Sequence, residues 1–482
     1  EGTKFYETPH IDGLAEKSLR FERGYSACQV CSPSRAAIQT GRYPARLHLT
    51  DYIAVNRGNQ PDKWNRNTQL LPAEYAPELP LSELTIAEAL KSKQYQTFFA
   101  GKWHLGGDGH TPNEQGYDVN QGGYHYGTPP GGFHAPYNNP KLSDDPPGSE
   151  LPMRLGRETA SFIKQQADSG KPFFAMLSFY SVHAPIQCSQ ARWEKFQAKA
   201  EQLGLTERAE PRFLFDRTKE VRQVQDHPVY AGMMAALDDS VGLVLDAIQE
   251  KNIQDNTVVI FTSDNGGVSS GDGFATSCLP MRGGKGRQWE GGIRQPFYIY
   301  WPGVTTGGTT DILASGVDFL PTILEIAGVD PSAENPVDGV SLVPALRGKG
   351  MPDRKLYWHY PHYGNQGGEP SAIVMEGDWK LIHYFEDGRN ELYNVKSDVG
   401  EQHDLAGQSP EKVAAMAQDL RKWLASVEAT YPSSNPRYNQ ANYDKELQQI
   451  QKQGMPNREK EHAGYLKPDF APRGGWWDQK KP

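Results

Sequence analysis

A chain of 482 residues, 37% hydrophobic and 23% charged, has ordinary globular composition and length enough for one large core plus a smaller second unit. Its formal charge of -9 argues against a nucleic-acid binder, which carries a basic face, and no run of about 18 apolar residues exists to span a membrane. The four cysteines, Cys28, Cys31, Cys188 and Cys278, are too few to staple a fold of this size.

Taken in order, apolar β-rich runs alternate with helical patterns. Leu84 to Lys93 has helical spacing, and Tyr95 to Gly101 reads as a buried strand. Lys171 to Ser181, Asn256 to Asp264 and Gln295 to Pro302 read as further buried strands, with a helix from Tyr230 to Lys251 between them. Such alternation predicts an α/β fold with a large mixed, mostly parallel sheet flanked by helices, and ligands beyond the carboxyl ends of its strands. From about Lys355 the pattern changes. Ser371 to Asp398 alternates and turns at Gly377 and at Asp387-Gly388, which predicts an antiparallel meander. A helix capped by Ser409 and Pro410 runs on to Tyr431. The expected organisation is a catalytic domain over 1–354, an α+β subdomain over 355–431, and an extended surface-wrapping tail over 432–482.

The segment Cys28-Gln29-Val30-Cys31-Ser32-Pro33-Ser34-Arg35 carries the densest chemistry. Its CxxC spacing does not fit a redox pair, because only a short strand precedes it and Pro33 follows. A zinc site would need a second Cys/His pair at matching spacing, and none is present. Ser32 reads instead as an N-cap with Pro33 in the first turn, and Gly41 ends the helix. Cys31 then lies at a helix N-terminus whose free N–H groups favour an anion, with Arg35 a turn later as a clamp.

With its neighbours, Cys31-Ser32-Pro33-Ser34-Arg35 followed by Thr40-Gly41-Arg42 resembles the signature of the formylglycine-dependent sulfatases, of the alkaline-phosphatase-like superfamily. Gln39 departs from the usual leucine. Further motifs recur in the family's order: Lys102 and His104 in "AGKWHLG", His183 in "FYSVHAPI", Asp264 and Asn265 in "FTSDNGG", and Lys285 in "RGGKGRQWEGG".

The resemblance implies sulfate-ester hydrolysis through a formylglycine made from Cys31 by a formylglycine-generating enzyme. Its hydrated aldehyde would attack sulfur, and loss of the second hydroxyl's proton would then release sulfate. Arg35 and Lys102 would hold the diol and the sulfate, and His104 would take that proton. His183 and Lys285 would bind the ester oxygens, one of them protonating the leaving alkoxide. Asp264 and Asn265 would be hard oxygen ligands for Ca²⁺, with Mg²⁺ the lesser fit. Two further Asp ligands would come from an N-terminal strand that the sequence does not contain. Neither Asp144-Asp145 nor Asp238-Asp239 sits where they should, so a native start further upstream is expected.

His359, His362 and His134 lie in aromatic-rich stretches that suit a sugar ring, so a sulfated polysaccharide or oligosaccharide is the expected substrate. Other readings are an arylsulfatase of small substrates, a phosphodiesterase or phosphonate hydrolase of the same superfamily, and an inactive glycan-binding homologue. An exported location is implied, which would permit a Cys188–Cys278 disulfide.

Overall fold

The computed structural model describes residues 3–54, 58–330, 336–472, 476 and 477. The elements that build the catalytic unit begin with β1 (Leu19–Phe21), α1 (Cys31–Thr40), β2 (Gln96–Gly101), β3 (Val119–Gln121) and α2 (Leu151–Ser169). They continue with β4 (Phe173–Ser178), α3 (Pro228–Glu250), β5 (Val259–Thr262), β6 (Phe297–Tyr300) and β7 (Thr309–Thr310). The C-terminal unit adds β8 (Lys355–Tyr360), β9 (Ser371–Glu376), β10 (Trp379–Tyr384), β11 (Asn390–Asn394) and α4 (Pro410–Ser426).

The expected α/β architecture is present, with its catalytic sheet in two pieces. One is wholly parallel, in the order β3-β2-β4, and the other is mixed, in the order β7-β1-β6-β5. Their edge strands β4 and β5 share apolar surroundings: Met176 and Ile260 pack on one cluster, and Ala175, Leu177 and Val259 on another. Each of those side chains is only half-buried. Helices α2 and α3 pack so closely that a Cβ on Gly156 would lie 2.2 Å from the Ser240 hydroxyl, which itself donates to the Pro152 carbonyl. Only glycine admits that approach.

Strands β8 to β11 form an antiparallel meander. Glu376 pairs with Trp379 across a two-residue turn in which Gly377 has φ +55°, a region that costs glycine nothing. One face of the meander packs on α4 through Val374, Leu381, Leu392 and Leu420. The other face shares a core with the catalytic unit, where Trp358, Ile373 and Ile382 meet Tyr25, Trp289 and Ile293. That alternation of faces is the period-two pattern of a strand covered on both sides.

Two expectations need correction. The helix carrying the cysteine motif starts at Cys31 itself, after the extended Val30, and Ser32 is not its cap. The Ser32 hydroxyl instead accepts the backbone N–H of Ile53, so a neighbouring loop takes up its capacity. The tail is not extended either, because it folds into α5 (Gln440–Gln449) and α6 (Met455–Gly464). Arg458 of α6 pairs with Glu220, and His462 is buried.

A buried ion cluster ties the two units together. The Lys380 ammonium of β10 lies 3.2 Å from Glu290 and 2.8 Å from Glu401, all three with fully buried side chains. Deleting one member of such a group leaves uncompensated charge in a medium of low polarity. Lys380→Met is therefore expected to lower the unfolding free energy by about 3–5 kcal/mol, read by urea denaturation. A loss under about 1 kcal/mol would mean that the cluster relaxes or admits water.

Candidate active site

The carboxyl ends of β2, β4 and β5 and the start of α1 meet at one place. Cys31 opens α1 and is 3% exposed. Lys102 and His104 follow β2, His183 follows β4, and Asp264 and Asn265 follow β5. Lys285 arrives on a separate glycine-rich loop whose backbone N–H is tied to Gly267.

The Lys102 ammonium donates to the Cys31 thiol at 3.0 Å. Burial alone would push that thiol up. Lys102, Lys285 and the imidazoles of His104 and His183 more than reverse this and hold it well below the usual thiol range. The centre is built to stabilise negative charge.

His104 has φ +58°, and its Nε2 lies 2.9 Å from the Ile53 carbonyl, to which it must donate. The proton is thereby fixed on Nε2, and Nδ1, buried and without a hydrogen-bond partner among the described residues, keeps its lone pair. Burial lowers the pKa of His104, so the ring is a neutral base.

Lys285 donates to His183 Nε2 at 2.6 Å and to the Asp272 carboxylate at 2.7 Å. His183 Nδ1 in turn donates to the Ala184 carbonyl at 2.9 Å. Burial works against the Lys285 charge, yet Cys31 and Asp272 outweigh it and raise its pKa. Asp272 is the main residue that the motifs missed. It sits within four consecutive positive-φ residues, Gly271 to Phe274, and receives Gln366 at 2.7 Å. Its only sequence signal is an aspartate between two glycines.

Arg35 differs from the free clamp expected of it. Its Nε and Nη2 both contact Asp264 at 2.8 Å, and Nη1 donates to the Lys102 carbonyl and the Ser178 hydroxyl, each at 2.6 Å. It locks three strand ends together and occupies Asp264. Asn265 Oδ1, next to it, is buried and has no hydrogen-bond partner among the described residues. That orphaned oxygen and the Asp264 carboxylate have the donor chemistry of a hard-cation site, but they are two ligands where calcium takes six to eight. The residues present thus supply part of such a site. Among the described residues, the acid and imidazole side chains close enough to hold an ion are His10, Asp238 and Asp239. There Asp238 already caps the N–H groups of His10 and Ile11, and Asp239 pairs with Arg192.

The three histidines expected to meet a sugar are enclosed, which corrects that expectation. His359 lies 2.7 Å from the Thr430 carbonyl among Phe385 and Tyr431, and burial pushes its pKa down to about 4. His362 is fully buried against the Thr50 hydroxyl. His134 is buried and stacks on Trp476. Cys188 and Cys278 are free thiols, the first against Gly232 of α3 and the second near Gly267, and they do not form the bridge considered above.

A cysteine at a helix tip, ringed by two lysines and two imidazoles at the strand ends of an α/β sheet, suits an ester hydrolase that handles an anionic group. The chain belongs to the sulfatase family: the sulfatase model matches residues 1–329, and that of the N-sulphoglucosamine sulphohydrolase C-terminal region matches residues 285–430. It is thus a sulfuric ester hydrolase. Human arylsulfatase A is 30% identical over 455 residues, covering 85% of this chain and 82% of the relative. Human N-acetylgalactosamine-6-sulfatase is 31% identical over 378 residues, covering 73% of this chain and 63% of the relative. The solved structure of Ps i-CgsB in complex with k-i-k-neocarrahexaose aligns with TM-score 0.70 at 23% identity, over 95% of both chains.

Beside the site, Asp51 is fully buried and receives the Tyr360 hydroxyl at 2.9 Å and the Asn59 amide at 2.9 Å. Burial raises its pKa to about 7, against these hydrogen bonds. A carboxyl raised in the folded state favours the fold when protonated. Its contribution is complete below the unfolded value of 3.8 and is lost as pH rises toward about 7. Asp51→Asn is expected to flatten the fall of Tm across that window. An unchanged slope would place the titration elsewhere.

Proposed function

We propose that the protein removes sulfate from a sulfated polysaccharide or oligosaccharide, using a formylglycine formed at Cys31. The observation that supports this best is the convergence of Lys102, Lys285, His104 and His183 on the Cys31 side chain, whose sulfur stands in for the oxygens of the hydrated aldehyde. A relative named N-acetylgalactosamine-6-sulfatase and a neighbour solved with k-i-k-neocarrahexaose support the carbohydrate class.

Once formed, the formylglycine supplies a hydroxyl nucleophile for sulfur. Lys102 is placed to orient that group and offset its charge. His104 is placed to accept a proton at Nδ1, because Nε2 is committed to Ile53 and burial keeps the ring neutral. Lys285, with its raised pKa, suits a fixed cation facing the ester oxygens. That leaves the proton for the departing alkoxide to His183, whose Nε2 faces the Lys285 ammonium. Asp264 and Asn265 would hold a calcium ion, which would add positive charge behind the sulfate. A formylglycine-generating enzyme is the maturation partner, and export is the compartment that fits the substrate. No helix among the described residues is long and apolar enough to cross a membrane.

Mass spectrometry of the Cys31 peptide from active protein should show formylglycine; full sulfate release by protein with an unmodified thiol would sink the proposal. His104→Ala should lower kcat by about 10²–10⁴-fold on sulfated oligosaccharides and on aryl sulfates alike, and chelation should reduce a rate that Ca²⁺ restores better than Mg²⁺.

Asp272→Asn tests the carboxylate behind Lys285. Losing an anion that raises the Lys285 pKa should shift the alkaline limb of kcat/KM to lower pH and cost about ten- to a hundredfold in rate. A uniform loss with no shift in the limb would assign Asp272 a purely structural part.

A further inference from the structure

Beyond the catalytic cluster, two cations stand at the rim without carboxylate partners. Arg66 is exposed, held by stacking on Trp64 at 5.0 Å and by donating to the Tyr363 carbonyl at 2.9 Å. Lys219 lies at the tip of the hairpin formed by Phe213–Asp216 and Lys219–Arg222. Among the described residues, no carboxylate comes within 4.0 Å of either. The acids nearby are already engaged: Glu220 by Arg458 at 2.6 Å, Asp272 by Lys285, and Asp51 by Tyr360 and Asn59.

Both cations converge on the exposed Asn365. Arg66 reaches its Oδ1 at 3.4 Å, and Lys219 donates to its carbonyl. Asn365 in turn donates to the Tyr52 hydroxyl at 2.8 Å. This hub adjoins the catalytic centre on two sides. Gln366, the next residue, binds Asp272, which holds Lys285. Tyr52 precedes Ile53, whose backbone contacts both Ser32 and His104.

We propose that Arg66 and Lys219 form a second anion subsite beside the Cys31 centre, which takes a sulfate or carboxylate on the sugar next to the one being desulfated. The inference rests on the glycan reading above and narrows its substrate to a polyanionic chain. Two fixed cations held by neutral partners are an incomplete ion pair, and a bound oxyanion completes it. Arg66 and Lys219 come from distant parts of the sequence and meet through a loop of the C-terminal unit, so the folded state brings together charges that would otherwise stay apart in water. Burial of the half-buried Lys219 lowers its pKa, a penalty that an anion beside it relieves. The tyrosine and asparagine beside them supply neutral donors of the kind that line sugar sites.

Binding separates this subsite from turnover. The full chain with Cys31→Ala would be titrated calorimetrically with disaccharides of one linkage carrying one sulfate, two sulfates, or one sulfate plus a carboxylate on the adjacent sugar. The expected result is that a second anion tightens Kd by about tenfold or more. That gain should shrink with added salt, collapse in Arg66→Gln and in Lys219→Gln, and survive in part in Arg66→Lys. A gain with both anions assigns a general oxyanion subsite, and a gain with one of them assigns its preferred group. A misfolded variant would weaken the singly sulfated ligand equally, so the ratio of the two affinities is the deciding quantity. Equal affinity for singly and doubly charged ligands, or a gain that survives both glutamine substitutions, would overturn the subsite. Absence of sulfate release by the unsubstituted protein would count against the catalytic reading alone.

Discussion

The structure depends on keeping a group of cations buried around one small anionic centre. Lys102, Lys285 and Arg35 are each less than a tenth exposed. Charges in such a place must be neutralised or lose their protons. The fold supplies counter-charge from behind, with Asp264 on Arg35 and Asp272 on Lys285, and leaves the front of the cluster directed at residue 31. A sulfate ester entering there meets donors whose positions are already fixed, so little reorganisation is needed as charge develops.

The C-terminal unit completes this arrangement and is more than an appendage to it. Its sheet shares a buried core with Tyr25 and Trp289, and Lys380 reaches across to Glu290. Tyr360, at the end of β8, holds Asp51, whose neighbour Ile53 fixes the tautomer of His104. Gln366, six residues later, reaches Asp272. Both the base and the cation of the site are therefore oriented through contacts with one strand and the loop after it. The first strand of the antiparallel meander begins at Lys355, and the chemistry draws on residues from both sides of it.

Much of this was legible in the sequence because the informative residues are local. Strand ends, glycine turns and the short motifs around Cys31, Lys102, His183, Asp264 and Lys285 are written in consecutive residues, and strand-helix alternation sets where they fall. What was not legible is what depends on distant pairing. Asp272 has no motif of its own and gains meaning only when Lys285, thirteen residues on, folds back on it. Arg35 reads as a clamp in isolation, and only the approach of β5 shows that its donors are spent on Asp264. His134, His359 and His362 mislead for the same reason: an aromatic-rich stretch has the same composition whether it lines a cleft or packs a core. Here the rings of Phe385, Tyr431 and Trp476 enclose two of them. The tail reads as extended because its polar, proline-dotted composition hides short helices that are stabilised by docking, such as α6 through Arg458.

The net charge of -9 is compatible with a polyanionic substrate because its distribution matters more than its sum. At physiological salt a surface charge is screened beyond about 8 Å, so the scattered surface acids contribute little at the cleft. Charges enclosed by protein are screened far less, and those converging on residue 31 are the ammonium groups of Lys102 and Lys285 with two imidazoles. The acids that do lie there, Asp264 and Asp272, are turned inward onto Arg35 and Lys285 and act as their supports. A chain acidic overall can in this way present a basic interior to its ligand. The same reasoning explains why Arg66 and Lys219 stand out: among the described residues they lack the supporting carboxylate that Arg35 and Lys285 have, while the counter-charge of Lys102 is residue 31 itself.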